Sequence, residues 1–458
     1  MKFFEYIDSL HTKKIAVVGA GVSNQPLIAL LLEHGCKVTV CDRRSAEDMG
    51  ELAHTLTAQG AQLHLGEDYL GGLDCFDMIF RTPGLLPLDP NLMAAKEAGV
   101  EITSEMELFF RFCPCKTVAI TGSDGKTTTS SIIAELLRAS GKTVHLGGNI
   151  GRPLLCDIPD MNPEDICVLE LSSFQLHSMY CKPDVAVVTN VSPNHLDVHP
   201  DFDDYIVSKK SIFLQQDEQC LLVVNADNEI TNGFTADAKS EVLRFSRNQF
   251  IENGVYYTDG KIMRGDEKVI DIEAIKIPGM HNVENYMAAY CAVSGMVDDE
   301  TFRKVAGEFS GVQHRLELIR KHKGVKYIND SIASSPTRAV AGLRSFKASE
   351  PIILIAGGHD KHVPFDEMAD EVCKRCKALF LCGESAEAIA AAVRASEFYT
   401  DAFPMFIYEN WTENVLAASS YAAEGDTVLL SPACSSFDFF KNFAERGNLF
   451  RKIVMELA

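Results

Sequence analysis

The sequence is poor in positive charge. Its 458 residues include 43 Lys and Arg against 64 Asp and Glu, and the formal net charge is −21 at pH 7. No basic block offsets this excess, which argues against a nucleic acid or an anionic membrane as the main partner. An anionic substrate would need a local basic site within an acidic protein.

Secretory signals and long apolar runs are also missing. The first residues, MKFFEYIDSLHTKK, are too polar for a signal peptide, and no apolar run approaches a membrane span. The 14 cysteines are scattered. Cys113 with Cys115 and Cys373 with Cys376 are the nearest pairs, and no histidines accompany them at zinc spacing. We interpret the cysteines as small apolar residues in a reducing compartment, and we expect a cytoplasmic protein without membrane insertion.

The chain divides into three blocks in which predicted strands alternate with predicted helices. Its length predicts two to four domains, and a hydrophobic content of 46% is enough for large cores. Short β-rich runs alternate with helical stretches, which predicts mainly parallel sheets. We expect three α/β domains: a Rossmann-like N-terminal domain (1–104), a central P-loop ATPase-type domain (105–312) and a Rossmann-like C-terminal domain (313–458). The predicted strands are 15–21, 37–42, 61–66, 78–84, 100–105, 117–121, 142–148, 166–173, 185–191, 220–227, 324–330, 351–358, 378–383, 404–410 and 426–433, with hairpins over 255–272 and a helix over 281–296.

A phosphate loop opens the central block. In TVAITGSDGKTTTSSIIAELLRASG (117–141) a β-branched strand breaks into a glycine turn, and Lys126 then precedes a helical pattern. Backbone N–H groups of such a turn, at the positive end of a helix dipole, form an anion site. Lys126 can reach the outer phosphates, and the Thr127 hydroxyl suits Mg²⁺. The pattern T-G-x-x-G-K-T is a variant, because Ile120 stands where the usual motif has its first glycine. The sequence predicts ATP binding.

A weaker nucleotide signal ends the first strand. The run GAGVSN places Asn24 where a dinucleotide fingerprint has its third glycine, and Asp42 ends the second strand, where a ribose-binding acid often lies. This pattern fits a nucleotide-type ligand or merely a tight turn. A Rossmann oxidoreductase is therefore the alternative from another class, although it leaves the phosphate loop and the third block unexplained.

Polar residues follow several predicted strands of the central block. Glu170 lies in an apolar strand, where a Mg²⁺ ion would satisfy a buried carboxylate; a strand-end glutamate in solvent is the alternative. His195 and Asp197 lie in the loop after another strand. Lys209 and Lys210 occupy a helical stretch, where a lysine pair is normally a solvated face. A non-catalytic ATP-binding regulator is a further alternative, and the presence of Glu170, His195 and Lys209 argues against it.

Taken in order, nine segments resemble the Mur ligases: TGSDGKTT, ELSSFQL, NVSPNHLD, YIVSKKSIF, GMHNVEN, HRLE, NDS, GGHDK and SPACSSFDFFKNFAERG. These are ATP-dependent amide-bond ligases that build the peptide stem of peptidoglycan. The last segment and the small first domain favour the member that adds D-glutamate to UDP-N-acetylmuramoyl-L-alanine. Another Mur-type ligase or a folylpolyglutamate-type ligase is the alternative, although folylpolyglutamate synthases lack this first domain. The resemblance implies an acyl-phosphate intermediate, which the D-glutamate amine then attacks.

The resemblance also implies roles for residues at the ATP and metal sites. Lys126, Glu170, His195 and Lys209 are the expected catalytic residues. Thr127 and Glu170 would bind one Mg²⁺, and His195 and Lys209 would serve a second, with Lys209 carbamylated by CO₂ into an oxygen ligand. Alternatively, Lys209 stays cationic and contacts phosphate directly. The residues expected to bind ATP are Ser123, Asp124, Gly125, Lys126, Thr127, Thr128, Thr129, Asn282, Asn285, Arg315 and Asp330.

Substrate contacts are implied in the same way. The uracil and diphosphate site would use Val22, Ser23, Asp42 and Arg44, the sugar-peptide part Asn149 and Gln175, and D-glutamate Ser334, Lys361, Ser436, Phe437 and Phe443. Many relatives have N-D-S-K-A-T where this chain has N-D-S-I-A-S, so Ile332 replaces a lysine and Ser334 a threonine. We therefore expect Lys361 to supply the main cation for D-glutamate. We also expect a monomer.

Overall fold

The computed structural model describes residues 1–177, 179–194, 198–359 and 363–457. His195, Asp197 and Lys361 of the predicted sites lie outside these ranges. The chain forms two compact units, Met1–Phe309 and Ser310–Ala458. Among the described residues, no helix combines the length and the apolar character needed to cross a bilayer.

The first sheet of the N-terminal unit is parallel and has the strand order β3-β2-β1-β4-β5. All five strands predicted in this block are confirmed. The strands are β1 (Lys14–Val18), β2 (Lys37–Asp42), β3 (Gln62–Leu65), β4 (Met78–Arg81) and β5 (Glu101–Thr103). The helices are α1 (Phe3–Ser9), α2 (Asn24–Glu33), α3 (Ala46–Met49), α4 (Glu51–Ala58), α5 (Pro90–Glu97) and α6 (Glu105–Phe112). The strand order reverses at β1, which creates a ligand-binding crevice at the carboxyl ends of its strands.

The second sheet of this unit has nine strands in the order β14-β13-β12-β11-β10-β9-β6-β8-β7. Its strands are β6 (Lys116–Thr121), β7 (Val144–Gly148), β8 (Ile166–Glu170), β9 (Val185–Val188), β10 (Leu221–Asn225), β11 (Glu241–Ser246), β12 (Gly254–Thr258), β13 (Lys261–Arg264) and β14 (Glu267–Asp271). The helices are α7 (Lys126–Ala139), α8 (Ser173–Leu176), α9 (Phe202–Lys210), α10 (Glu229–Gly233), α11 (Met280–Ala292) and α12 (Asp299–Glu308). The predicted hairpins over 255–272 and the long helix after them are confirmed.

The sequence prediction missed β11. Four of its six residues are not fully buried, and Glu241 and Arg244 interrupt its apolar pattern. The strand exists because β10 and β12 flank it on both sides in parallel pairing. Its position is thus fixed by neighbouring strands rather than by its own sequence.

The central strands of this sheet are buried on both faces, as expected where helices cover a parallel sheet. All five residues of β8 are buried, including Glu170. Side chains of α7 and α11 pack together over one face, and the core over the other face is continuous with that of the first sheet. The strand ends that carry polar residues are therefore held on a rigid support.

The C-terminal unit contains a six-stranded sheet with the order β15-β16-β20-β17-β18-β19. Its strands are β15 (Glu317–His322), β16 (Val325–Asn329), β17 (Ile352–Gly357), β18 (Cys376–Cys382), β19 (Met405–Tyr408) and β20 (Thr427–Ala433). The helices are α13 (Pro336–Arg344), α14 (Asp366–Arg375), α15 (Ala386–Ala395), α16 (Trp411–Tyr421) and α17 (Phe443–Glu456). The prediction missed β15, an antiparallel edge strand whose run Arg320-Lys321-His322 lacks apolar alternation.

Candidate functional site

The loop between β6 and α7 requires both of its glycines. Gly122 has φ +148°, and a Cβ atom there would lie 1.9 Å from the Thr189 hydroxyl oxygen. Gly125 has φ +80°, and a Cβ atom there would lie 2.4 Å from the Asn285 side-chain oxygen. Side chains at these two positions would collide with Thr189 and Asn285, so only glycine allows the loop to pack this closely against them. A loop of this kind presents backbone N–H groups to an anion.

The segment after β9 holds this loop in place. The Ser123 hydroxyl donates to the Ser192 carbonyl at 2.9 Å, and the Asp124 amide donates to the Asn190 side chain at 2.9 Å. The Thr189 hydroxyl donates to the Asp124 carbonyl at 2.6 Å. Sequence reasoning missed these partners, although most of them belong to the quoted segment NVSPNHLD. The loop is therefore organised before any ligand binds.

Lys126 lies across the loop at its helix end. Its ammonium group donates to the Gly122 carbonyl at 2.8 Å and to the Ser123 carbonyl at 3.0 Å. Thr127 and Thr128 are half-buried on the following turn. The structure thus places the cation directly over the proposed phosphate loop, where the sequence predicted it.

The two asparagines of α11 lie beside α7. The buried Thr129 hydroxyl donates to the Asn285 side-chain oxygen at 3.2 Å, and the Asn285 amide donates to the Asn282 side chain at 3.1 Å. Both predicted adenine-side residues are therefore joined to the helix that starts at the phosphate loop.

Glu170 offers a buried carboxylate oxygen that has no hydrogen-bond partner among the described residues. One oxygen, Oε1, accepts a hydrogen bond from the Asn149 amide at 2.9 Å. The other, Oε2, is buried and accepts none from the part of the chain that the structure describes. A buried polar atom of this kind is costly unless something satisfies it. Mg²⁺ prefers carboxylate oxygens, so the donor set at Glu170 fits this ion.

Lys209 is almost completely buried, with 1% of its surface exposed. Its ammonium group donates to the same Gly122 carbonyl at 2.8 Å and lies 4.5 Å from the centre of the Tyr205 ring. Burial first, and then the positive charge of Lys126, hold the pKa of Lys209 well below its usual value. A lowered pKa favours the neutral amine, which is the form of lysine that acts as a nucleophile.

The neighbouring Lys210 has a different environment. Its ammonium group pairs with Asp237 at 2.5 Å on the outer side of α9. Adjacent positions on a helix point in different directions, so Lys209 faces the phosphate loop and Lys210 does not.

A buried polar network anchors α9 beside the loop. The Asp204 carboxylate, on the first turns of α9, contacts His199 at 2.6 Å and His177 at 2.8 Å. The other ring nitrogen of His199 contacts the Ser173 hydroxyl at 3.0 Å. Burial alone would raise the pKa of Asp204, but these histidine contacts outweigh it and lower the pKa. Sequence reasoning did not find this network, because its members come from three separate segments.

Gln175 also has a structural contact. Its side-chain oxygen accepts hydrogen bonds from the Ser172 amide and hydroxyl, both at 3.0 Å, and so caps α8. This short helix follows Glu170 directly. Any contact of Gln175 with a sugar-peptide substrate would come from the rest of its amide.

In the first sheet, the turn after β1 is closed by Asn24. Its amide donates to the Val18 carbonyl at 3.1 Å and to the Gly19 carbonyl at 2.9 Å. Val22 and Ser23 lie exposed on this turn. Asn24 therefore stabilises the turn where a dinucleotide site would instead use a third glycine.

Asp42 is already paired within the protein. Arg44 donates to both of its oxygens at 3.0 and 2.9 Å, and the Ala20 amide donates at 2.8 Å. Burial alone would raise the pKa of Asp42, but the hydrogen bonds from Arg44 and Ala20 outweigh it and lower the pKa to about 2. A cavity of about 230 Å³ adjoins this pair at the switch point of the sheet, between Val18 and Thr82.

We expect this cavity to bind UDP and not NAD⁺. Arg44 holds Asp42, which lines the cavity, so Arg44→Ala should weaken UDP binding by about 10- to 100-fold, the value of a charge-assisted hydrogen bond. Calorimetric titration of the full chain measures both ligands. Arg138→Ala removes another exposed arginine that pairs with a carboxylate, and it should leave UDP binding unchanged. Tighter binding of NAD⁺ than of UDP would contradict the expectation.

In the C-terminal unit, Arg315 lies between two residues with unusual backbone conformations. His314 has φ +63° and Leu316 has φ +43°. Such values are uncommon in non-glycine residues and occur often at functional sites. The Leu316 amide and the Ser431 hydroxyl donate to Asp330 at 3.2 and 2.8 Å, and burial raises the Asp330 pKa to about 7. Both predicted nucleotide-contacting residues of this unit therefore lie in one small region.

A buried arginine that sequence reasoning missed joins two loops that carry predicted D-glutamate residues. Arg446, with 1% of its surface exposed, donates to the Ser331 hydroxyl at 3.1 Å and to the Cys434 and Ser435 carbonyls at 3.0 and 3.2 Å. It thus joins the N-D-S-I-A-S loop to the loop after β20. The sequence did contain a pointer to this residue, because Arg446 is the arginine of the quoted segment SPACSSFDFFKNFAERG.

The predicted D-glutamate residues that the structure describes differ in exposure. Ser334 is half-buried and Ser436 is buried. Phe437 and Phe443 are exposed by 67% and 37%, and the Phe443 carbonyl accepts a hydrogen bond from the Ser331 hydroxyl at 2.7 Å. Exposed aromatic rings beside buried hydroxyl groups are an arrangement that a small ligand can cover.

Comparison with known proteins gives three family matches. They are a Mur ligase MurD-like N-terminal domain at residues 13–104, a Mur ligase middle domain at 120–293, and a Mur ligase glutamate ligase domain at 314–434. The curated relatives include a UDP-N-acetylmuramoylalanine–D-glutamate ligase from Clostridium novyi (strain NT), 48% identical over 456 residues and 99% of both chains. Another of the same name, from Clostridium perfringens (strain 13 / Type A), is 48% identical over 99% of this chain and 98% of its own.

Solved structures share the fold at low identity. The UDP-N-acetylmuramate-alanine ligase of Thermotoga maritima has a TM-score of 0.58 at 17% identity and covers 97% of this chain and 99% of its own. FolC from E. coli has a TM-score of 0.53 at 15% identity and covers 75% of this chain and 89% of its own. At these identities, the likeness concerns the fold alone.

Proposed function

Because the chain belongs to the Mur ligase family, we propose that it is a ligase of peptidoglycan synthesis that joins D-glutamate to UDP-N-acetylmuramoyl-L-alanine, with conversion of ATP to ADP and phosphate. The proposal rests on relatives of that name at 45–48% identity over 99% of the chain. The observation that carries the chemistry is the Gly122 carbonyl, on which the half-buried Lys126 and the buried Lys209 converge.

Charge neutralisation is the main task of this site, because both the carboxylate substrate and ATP are anionic. Lys126 and the N–H groups of the glycine loop would hold the β- and γ-phosphates. The glycine loop does not have to become ordered when ATP binds, since the segment after β9 already fixes it. Preorganised donors of this kind stabilise charge that develops during phosphoryl transfer.

Mg²⁺ would be held by the Glu170 carboxylate and the Thr127 hydroxyl. When bound, this ion supplies positive charge to the phosphate oxygens. Asn149 keeps one Glu170 oxygen fixed and leaves the other for the ion. His195 is proposed for a second ion on the resemblance alone.

Lys209 is proposed to react with CO₂ to form a carbamate. This reaction needs a neutral amine, and burial favours the neutral form of this lysine. The amine attacks the carbon of CO₂, loses a proton and becomes an anion with two oxygen donors. Such an anion suits Mg²⁺ better than an ammonium does. The alternative is that Lys209 remains cationic and contacts phosphate directly.

D-Glutamate is proposed to bind in the C-terminal unit. Ser436 and Lys361 would hold its carboxylates, with Phe437 and Phe443 beside them, while Ile332 leaves the N-D-S-I-A-S loop without its usual lysine. Arg446 adds a fixed positive charge that holds this loop in position. The cytoplasmic location and the monomeric state predicted from the sequence stay predictions.

We expect ADP release to require both UDP-N-acetylmuramoyl-L-alanine and an amino acid. Among D- and L-amino acids, D-glutamate should give the highest kcat/KM, by about 100-fold or more over L-glutamate, because its carboxylates need paired donors at fixed positions. A coupled ADP assay with the full chain measures this.

The same assay separates the alternatives. ADP release with a folate and L-glutamate would favour a folylpolyglutamate-type ligase. Absence of ADP release with every combination would favour a non-catalytic regulator, and hydride transfer to NAD⁺ would favour an oxidoreductase.

A further inference from the structure

Three cysteines from two distant segments of the chain meet at the amino edge of the nine-stranded sheet. Cys113 follows α6, Cys115 directly precedes β6, and Cys167 is the second residue of β8. Their sulfur atoms are separated by 3.6 Å (113–115), 3.6 Å (113–167) and 3.3 Å (115–167). The pairing of β6 with β8 places Thr117 opposite Cys167 and so brings the third thiol to the other two.

This group, which we name the thiol cluster, lies apart from the residues assigned to the ligase reaction. Cys167 comes three residues before Glu170, about 10 Å along the strand. Cys115 and Cys167 are buried, whereas Cys113 is half-buried and gives access to the cluster. The Met161 thioether sulfur lies 3.9 Å from the Cys167 sulfur and adds a fourth soft atom.

We propose that Cys113, Cys115 and Cys167 bind a thiophilic metal ion of the Zn²⁺ class. Three thiolates around Zn²⁺ with bonds of about 2.3 Å stand about 3.8 Å apart in tetrahedral geometry. The sulfur atoms of the cluster are a few tenths of an ångström closer than this and nearly equidistant. A disulfide would join only two of them, at about 2.05 Å, and would not require the third.

The donor set selects the kind of ion. Thiolate and thioether sulfur favour Zn²⁺ or Cu⁺ over the hard ion Mg²⁺, which prefers oxygen. The fourth position would be taken by the Met161 thioether or by water entering beside Cys113. On binding, each thiol gives up its proton as its sulfur–metal bond forms, so the affinity should fall as the pH is lowered.

A bound ion would act as a structural clamp. Cys113 and Cys115 belong to the connection between α6 and β6, which leads from the first sheet to the second, and Cys167 belongs to β8, next to the edge strand β7 of the second sheet. An ion that binds only the folded chain raises its stability. We expect Zn²⁺ to raise the midpoint of thermal unfolding.

Titration of the full reduced chain with Zn²⁺ tests the proposal, followed by desalting and metal analysis by mass spectrometry. We expect one Zn²⁺ per chain. Labelling with a thiol reagent, compared with and without Zn²⁺, should show Zn²⁺-dependent protection only within the thiol cluster. Cd²⁺ in place of Zn²⁺ should give thiolate-to-metal charge-transfer absorption in the ultraviolet, and Mg²⁺ should give neither effect.

Cys113→Ser is the main variant, because Cys113 is the least buried of the three. It should weaken Zn²⁺ binding by more than about 100-fold, which exceeds the effect of changing a residue that only hydrogen-bonds to a metal ligand. Cys373→Ser is the matched control, since Cys373 is also half-buried and has Cys376 nearby in sequence. It should keep the stoichiometry and the affinity of the parent chain. Cys167→Ala provides a second variant if Cys113→Ser does not fold.

Three results would overturn the proposal. One is failure of the reduced parent chain to retain Zn²⁺. Another is equal Zn²⁺ affinity in Cys113→Ser and the parent. The third is Zn²⁺-dependent protection of cysteines outside the thiol cluster, as mapped by peptide mass spectrometry.

Discussion

Lys209→Ala is expected to lose at least about 1,000-fold in the rate of ADP formation, and to regain part of it with a short carboxylic acid such as acetate. The substitution empties a buried space that opens beside the Gly122 carbonyl. A carbamate on Lys209 would place one negative charge there, and a small carboxylate can occupy the same space. The coupled ADP assay, run with and without acetate, measures both effects.

Lys210→Ala is the control for this prediction. The lysines are adjacent on α9, but Lys210 pairs with Asp237 near the surface. A surface ion pair is worth about 1 kcal/mol or less, so Lys210→Ala should keep most of the activity and stability. If Lys210→Ala is the inactive variant, the assignment of the lysine is wrong. If no carboxylic acid restores Lys209→Ala, its ammonium acts on phosphate directly.

Lys126→Ala is expected to abolish turnover while the fold survives. The ammonium group contributes charge to the phosphate loop, and loss of one preorganised donor typically costs about 100- to 1,000-fold in kcat. The loop itself should persist, because Thr189 and Asn190 hold it independently of Lys126. ADP formation and the thermal unfolding midpoint, measured on the same preparation, separate loss of catalysis from loss of structure.

An exposed lysine near the end of the same helix supplies the comparison. Lys142 follows α7 and is exposed, so Lys142→Ala should leave both measurements close to those of the parent chain. Normal ADP production by folded Lys126→Ala would show that the loop does not bind ATP in the way proposed.

Local patterns allowed most of the fold to be predicted. The strands β6, β8 and β17 are short apolar runs bounded by turns, and each lies where the sequence predicted it. The glycines of the phosphate loop were also recognisable, because a turn of positive φ leaves a signature within a few residues. The strands β11 and β15 were missed because their neighbours in the sheet, and not their own residues, determine them.

The candidate site was predictable in its residue types but not in its physical state. The sequence placed Glu170 in an apolar strand, and only the packed sheet leaves one of its oxygens buried without a partner among the described residues. The sequence singled out Lys209, and only the contacts around α9 remove it from water and lower its pKa. Burial and pKa depend on surroundings contributed by distant segments, which a local pattern does not contain.

By itself, the sequence determined the α/β class, the phosphate loop and the family resemblance, since these depend on residue order and short-range geometry. The tertiary structure alone decided which distant residues became neighbours. It brought Cys167 to Cys113 and Cys115 through the pairing of β8 with β6, and it placed Arg446 between two loops of the C-terminal unit. The physical reason is that strand order, set by the packing of the whole sheet, brings together side chains more than fifty residues apart in the chain.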